Sequence, residues 1–239
     1  MKRTGLLRGG ALGMFAALAM PAVAFAQDDA PIAQVAEELN VTWIIVATVL
    51  VMFMQAGFAF LEIGFSRGKN VGAGLAKILA NFSIATIAWW AVGFGVAFGG
   101  AGWLAGTDGF FFSHNQEIGS GPMEGNATGS TAAFMIFQFM FCAVSLAIVW
   151  GTTLERIKFT AYVIYAVVFS ALIYPLAAHW IFGGGWLSQV GDGVQDFAGS
   201  TVVHLVGATG GLAALLLLGP RRGKYGPDGK PRAIPGHSM

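Results

Sequence analysis

Apolar residues run through this chain in long blocks separated by short polar connections. Five blocks have the length and apolarity of a membrane span, near 41–62, 78–100, 131–152, 159–182 and 198–219. About 20 mostly apolar residues in a helix cross the hydrocarbon core of a bilayer. The pattern therefore predicts an all-α integral membrane protein with five transmembrane helices.

The connections alternate in basic content. Arg67 and Lys69 follow the first block, with Lys77 opening the second. Arg156 and Lys158 follow the third, and Arg221, Arg222, Lys224, Lys230 and Arg232 follow the fifth. The other two connections, 101–130 and 183–197, hold no Lys or Arg, but contain Asp108, Glu117, Glu124 and Asp192. Basic connections stay cytoplasmic, so the mature N-terminus is expected outside and the C-terminus inside.

Composition agrees: 56% of residues are hydrophobic and 10% charged, against roughly a quarter charged in soluble domains. Residues 1–26 have the form of a secretory signal. Lys2, Arg3 and Arg8 precede an apolar run, and Ala24-Phe25-Ala26 offers a small-residue cleavage site. An additional membrane helix is the alternative. Residues 27–40 are then a periplasmic segment, 41–219 the transmembrane domain and 220–239 a cytoplasmic loop or tail. The lone Cys142 excludes an intrachain disulfide and a cysteine-built metal site. No cofactor-binding loop or metal motif stands out, and the basic tail fits membrane anchoring better than nucleic-acid binding.

Of the 35 glycines, most are expected to serve packing. Gly199, Val203, Gly207 and Gly211 recur every four residues in the fifth block, a stripe that lets helix backbones approach closely.

Ionisable and aromatic groups at depth supply the candidate chemistry. His204 lies about six residues into the fifth block, roughly 9 Å below its outer end. An ionisable residue there is a functional candidate; a neutral imidazole bonded to a neighbouring helix is the plainer reading. Asp196 precedes the helix, where a carboxylate can cap free N–H groups. Phe137 and Phe141 are four apart and share one face, which suits either an aromatic passage or ordinary packing. His179, Trp180 and Phe182 fall at the outer end, where aromatics are common. Glu62, near the inner end of the first block, has Arg67 and Lys69 as prospective partners. Ser200 and His204, one turn apart, lack the further acid and oxyanion arrangement of an enzyme.

Sorted by depth, these groups form an order: Asp196 with the Trp180 and Phe182 rings, then Phe137, then His204 and Phe141. Aromatic faces attract a small cation. A bare charge at mid-membrane is very costly, so a proton-releasing cation would cross largely as its neutral form.

Four motifs carry a resemblance: FMQAGFAFLEIGFSRGKN (53–70), LERIKF (154–159), HWIFGGGWL (179–187) and DFAGSTVVH (196–204). Together they resemble the Amt/Mep/Rh ammonium transporters over nearly all the mature chain. The resemblance implies a channel for ammonium or ammonia in a bacterial inner membrane. It implies a homotrimer whose subunits each hold a pore between two inverted five-helix halves. A regulatory protein of the PII type is a further implied partner, and no cofactor is. By matching position, Asp196 resembles the aspartate beneath the outer recruitment site, and Gly199 belongs to the same motif. His204 resembles the first of two pore histidines. Phe137 and Phe141 resemble the stacked phenylalanine gate, with Gln138 between them. Phe182 stands where the family commonly has the tryptophan of the cation cup; Trp180, two residues earlier, is the possible substitute.

The family has eleven helices, and the resemblance covers the first five. A fragment, a split transporter completed by another chain, and a half-sized unit that dimerises are the three expectations. The functional alternatives to uptake are an ammonium-sensing regulatory module and an inactive fragment.

Overall fold

The computed structural model describes residues 29–100, 102–113 and 130–237. The expected signal segment lies outside them. Backbone contacts divide the chain into units 1–40 and 41–239. In the first, residues 29–40 are helical, and the Gln34 amide donates to Glu38 at 2.9 Å. The second holds the bundle.

Helix α1 (Asp29–Phe65) is followed by a 3-10 turn (Gly68–Asn70) and α2 (Val71–Ala88). A π-helical turn (Trp89–Gly93) carries α2 into α3 (Phe94–Phe98). Helix α4 is Thr131–Thr152, and α5 (Phe159–Val168) passes through a second π turn (Phe169–Ile173) into α6 (Tyr174–Ile181). A third π segment (Ser200–Leu205) opens α7 (Val206–Leu218). Among the described residues, five stretches are long and apolar enough to cross a membrane: Gln34–Phe65, Gly68–Phe98, Thr131–Thr152, Phe159–Gln189 and Ser200–Leu218. All five expected spans are present. The second starts ten residues earlier than its apolar pattern indicates, so Lys77 lies buried inside it rather than at its mouth.

The second π turn has a local cause. Pro175 has no N–H to donate, and its ring would press on the carbonyl four residues back in a regular helix. The wider turn just before it relieves both problems.

Helix α4 is the centre of the bundle, with Cys142, Ala143, Val144, Leu146 and Ala147 fully buried. The predicted small-residue stripe packs α7 against it. A Cβ built on Gly207 would lie 2.8 Å from the Ser145 carbonyl oxygen, and one on Gly211 2.8 Å from Thr152 Oγ1. Ser145 Oγ, one turn in, donates to the Val203 carbonyl at 2.8 Å. Trp89, Phe94, Phe98 and Phe134 form a buried aromatic knot.

The basic connections meet at one end. Arg67 donates through its backbone N–H and guanidinium to Glu155, the closest contact being 2.6 Å, and Asn70 Nδ2 adds a bond at 2.7 Å. Arg156 and Arg221 reach the Gly219 and Phe65 carbonyls, both at 2.8 Å. These contacts correct the expected pairing of Glu62: Arg67 goes to Glu155 instead. Burial pushes the Glu155 carboxyl up, but the Arg67 and Asn70 bonds outweigh it and hold the group at about 2.

Candidate functional site

The site begins with DFAGSTVVH. Asp196 Oδ1 accepts the N–H groups of Gly199 and Ser200, each at 2.8 Å, while Oδ2 accepts those of Thr201 (2.9 Å) and Val202 (2.8 Å). These are the donors that a helix start leaves without partners, so the carboxylate completes the fifth span. Burial raises its pKa, and the four backbone N–H groups more than reverse that, holding it below its ordinary value. The Ser200 hydroxyl also turns to Asp196, at 3.2 Å, and not to His204. Gly199 has φ +85°, and a Cβ there would lie 2.4 Å from Val203 Cγ2. Only glycine accommodates both the conformation and the contact.

This turn places Phe197, Ala198, Gly199 and Val203 along one side of an open cavity of about 100 Å³. Phe137, Gln138 and Phe141 of α4 and Phe182, just after α6, line the rest. Phe137 and Phe141 meet, with ring centroids 4.9 Å apart and planes at 88°. The pair is edge-to-face, an arrangement the ring quadrupoles favour.

Gln138 is the one polar side chain among the described residues of that lining. It is buried, and its Oε1 has no hydrogen-bond partner among the described residues. A buried amide oxygen without a partner is costly unless a donor reaches it. Four phenylalanine rings and one free acceptor suit a small cation carrying N–H groups.

Other candidates stand outside the lining. Trp180 donates its indole N–H to the Leu104 carbonyl at 2.8 Å and packs on Trp186, with centroids 6.0 Å apart. Of the two outer rings, Phe182 is the one that reaches the cavity. His204, next to Val203, is exposed on the flank of the fifth span. Glu62 is buried elsewhere, between the first and third spans. Phe197 and the acceptor role of Gln138 had no separate signature in the sequence. A lone glutamine in an apolar run becomes informative only when its oxygen is seen without a partner.

The profile of the Ammonium Transporter Family matches residues 42–239. Ammonium transporter Amt2 of Archaeoglobus fulgidus is 45% identical over 212 residues, covering 84% of this chain and 43% of its own length. Ammonium transporter Amt1 of Haloferax mediterranei is 37% identical over 214 residues, covering 86% and 40%. Among solved structures, a protein described as Sensor Amt Protein superposes with a TM-score of 0.76 at 33% identity, covering 84% of this chain and 49% of its own. The crystal structure of Candida albicans Mep2 gives 0.65 at 28% identity, covering 81% and 43%. The chain thus spans less than half the length of these relatives.

Proposed function

Because the chain belongs to the ammonium transporter family, we propose that it forms the first five-helix half of a conduit for ammonium or ammonia across a membrane. One observation carries the reading: a cavity of four phenylalanine rings whose wall holds the buried Gln138 amide oxygen, without a partner among the described residues. The rings attract the cation by their quadrupoles, and Gln138 accepts one of its N–H groups. Asp196 acts indirectly, by fixing the backbone that carries Phe197 and Gly199. Below the cavity, Phe141 narrows the way, and an uncharged species passes at far lower desolvation cost than an ion. His204 stands on the exposed flank, ready to face a second five-helix half. Its imidazole can accept a proton or hold the neutral species by a hydrogen bond.

The same reading places the chain in a bacterial inner membrane, N-terminus outside, with the basic connections on the cytoplasmic face. It also includes a homotrimer; native mass spectrometry returning monomer alone from mild detergent would contradict that. The relatives are transporters, so no catalytic turnover is assigned.

Uptake of radiolabelled methylammonium into cells without their own ammonium transporters tests the function. Uptake above the empty vector is expected when the chain is co-expressed with a second five-helix half from a family member, and loss of most of it with Phe141→Ala or His204→Ala. Vector-level uptake, or variants as active as the parent, would contradict the conduit. The likeness to Sensor Amt Protein favours one second reading, a sensing module. Binding of methylammonium without uptake would select it.

A further inference from the structure

Away from the cavity, four spans each send one polar side chain to a common point. Glu62 comes from α1, Lys77 from α2, Trp150 from α4 and Tyr162 from α5. All four are buried, Glu62 at 2% exposure and Lys77 at 6%. Lys77 Nζ sits 4.1 Å from the centre of the Trp150 ring, and the Trp150 and Tyr162 rings are 5.3 Å apart. Glu62 lies within electrostatic reach of both Lys77 and Tyr162. It also lies against the backbone at Gly151, where a Cβ would be 3.2 Å from its Oε1.

Although the groups are close, their hydrogen bonds do not close on one another. Both Glu62 oxygens, the Trp150 Nε1 and the Tyr162 hydroxyl lack hydrogen-bond partners among the described residues. The indole N–H faces the carboxyl without meeting hydrogen-bond geometry. Lys77 Nζ donates instead to the Ile157 carbonyl at 3.2 Å. A buried polar atom left unpaired is costly in hydrocarbon, and four atoms of one cluster share the problem.

We propose that Glu62, Lys77, Trp150 and Tyr162 form a buried water-binding site, where ordered water bridges the Glu62 carboxyl to the other three and so ties four spans together. The donor balance selects the ligand. An ammonium or metal cation would add positive charge beside Lys77 and meet two further donors, Trp150 N–H and Tyr162 O–H. Water donates to the carboxyl oxygens while accepting from the surrounding donors, so it satisfies every member. The site is separate from the phenylalanine cavity and stands whether or not the chain conducts ammonium.

Radiolytic hydroxyl-radical footprinting of the full chain in detergent tests it, because a bound water makes radicals next to buried side chains. Trp89 is the internal control: it is equally buried, and its N–H already donates to the Met135 carbonyl. Trp150 and Tyr162 are expected to oxidise several-fold faster than Trp89. In the Glu62→Leu/Lys77→Met double variant, that excess is expected to disappear. Oxidation of Trp150 and Tyr162 no faster than Trp89 in the parent chain would overturn the site, whatever the variant does. Excess oxidation unchanged in a folded double variant would overturn the roles of Glu62 and Lys77.

Discussion

Asp196 accepts four backbone N–H groups with two oxygens, so one side chain sets the start of the fifth span. Asp196→Ala leaves those donors bare. A loss of about 2 kcal/mol is expected in thermal unfolding of the detergent-solubilised chain. Its pKa is depressed on folding, so its stabilisation is complete above the ordinary aspartate value of 3.8 and disappears as pH falls through the lower folded-state value. Glu155 follows the same sign, with a window from 4.5 down to about 2. In Glu155→Gln, unfolding should depend less steeply on pH between those limits, and an unchanged slope would count against the Arg67 pairing. The capping role of Asp196 was legible, since an acid just before an apolar run has few other tasks. The partner of Glu62 was not. Arg67 is five residues away in sequence, but its guanidinium meets Glu155, 88 positions later.

At the scale of elements, the glycine stripe of α7 was readable because a period of four is a helix-packing signature, and α4 does fill it. Gly207→Leu should force α7 from α4, where even a Cβ would be 2.8 Å from the Ser145 carbonyl oxygen. A destabilisation of about 1–3 kcal/mol and easier proteolysis near the fifth span are expected. A variant as stable as the parent would contradict that packing. The three π segments were not legible. One extra residue in a turn leaves no periodic trace, and only Pro175 marked a place where the ladder had to yield. The early start of the second span was hidden for another reason. Lys77 looks like a connection residue in a hydropathy pattern, but it lies buried in the bundle with its Nζ 4.1 Å from the centre of the Trp150 ring.

For the whole molecule, the basic connections assemble at one end through Glu155, Arg156 and Arg221. Cysteines introduced at Ser188 and Arg222, on either side of the fifth span, should therefore label from opposite faces of sealed membranes. Labelling from the same face would contradict the five-span path. The family and the helix count were readable from motifs and apolar lengths. How the lining is shared was not, because it depends on which rings the Asp196 turn and the α6 end bring together. Those choices place Phe182 in the cavity and Trp180 outside it. The central claim is that this aromatic cavity recognises a small cation through the Gln138 oxygen. Equilibrium binding of radiolabelled methylammonium to the purified chain, with tetramethylammonium as competitor, tests it most directly. Binding that tetramethylammonium displaces poorly, and that weakens about tenfold in Gln138→Leu through loss of one charged hydrogen bond, is the predicted result. Equal affinity for the two cations, unchanged in the variant, would contradict it.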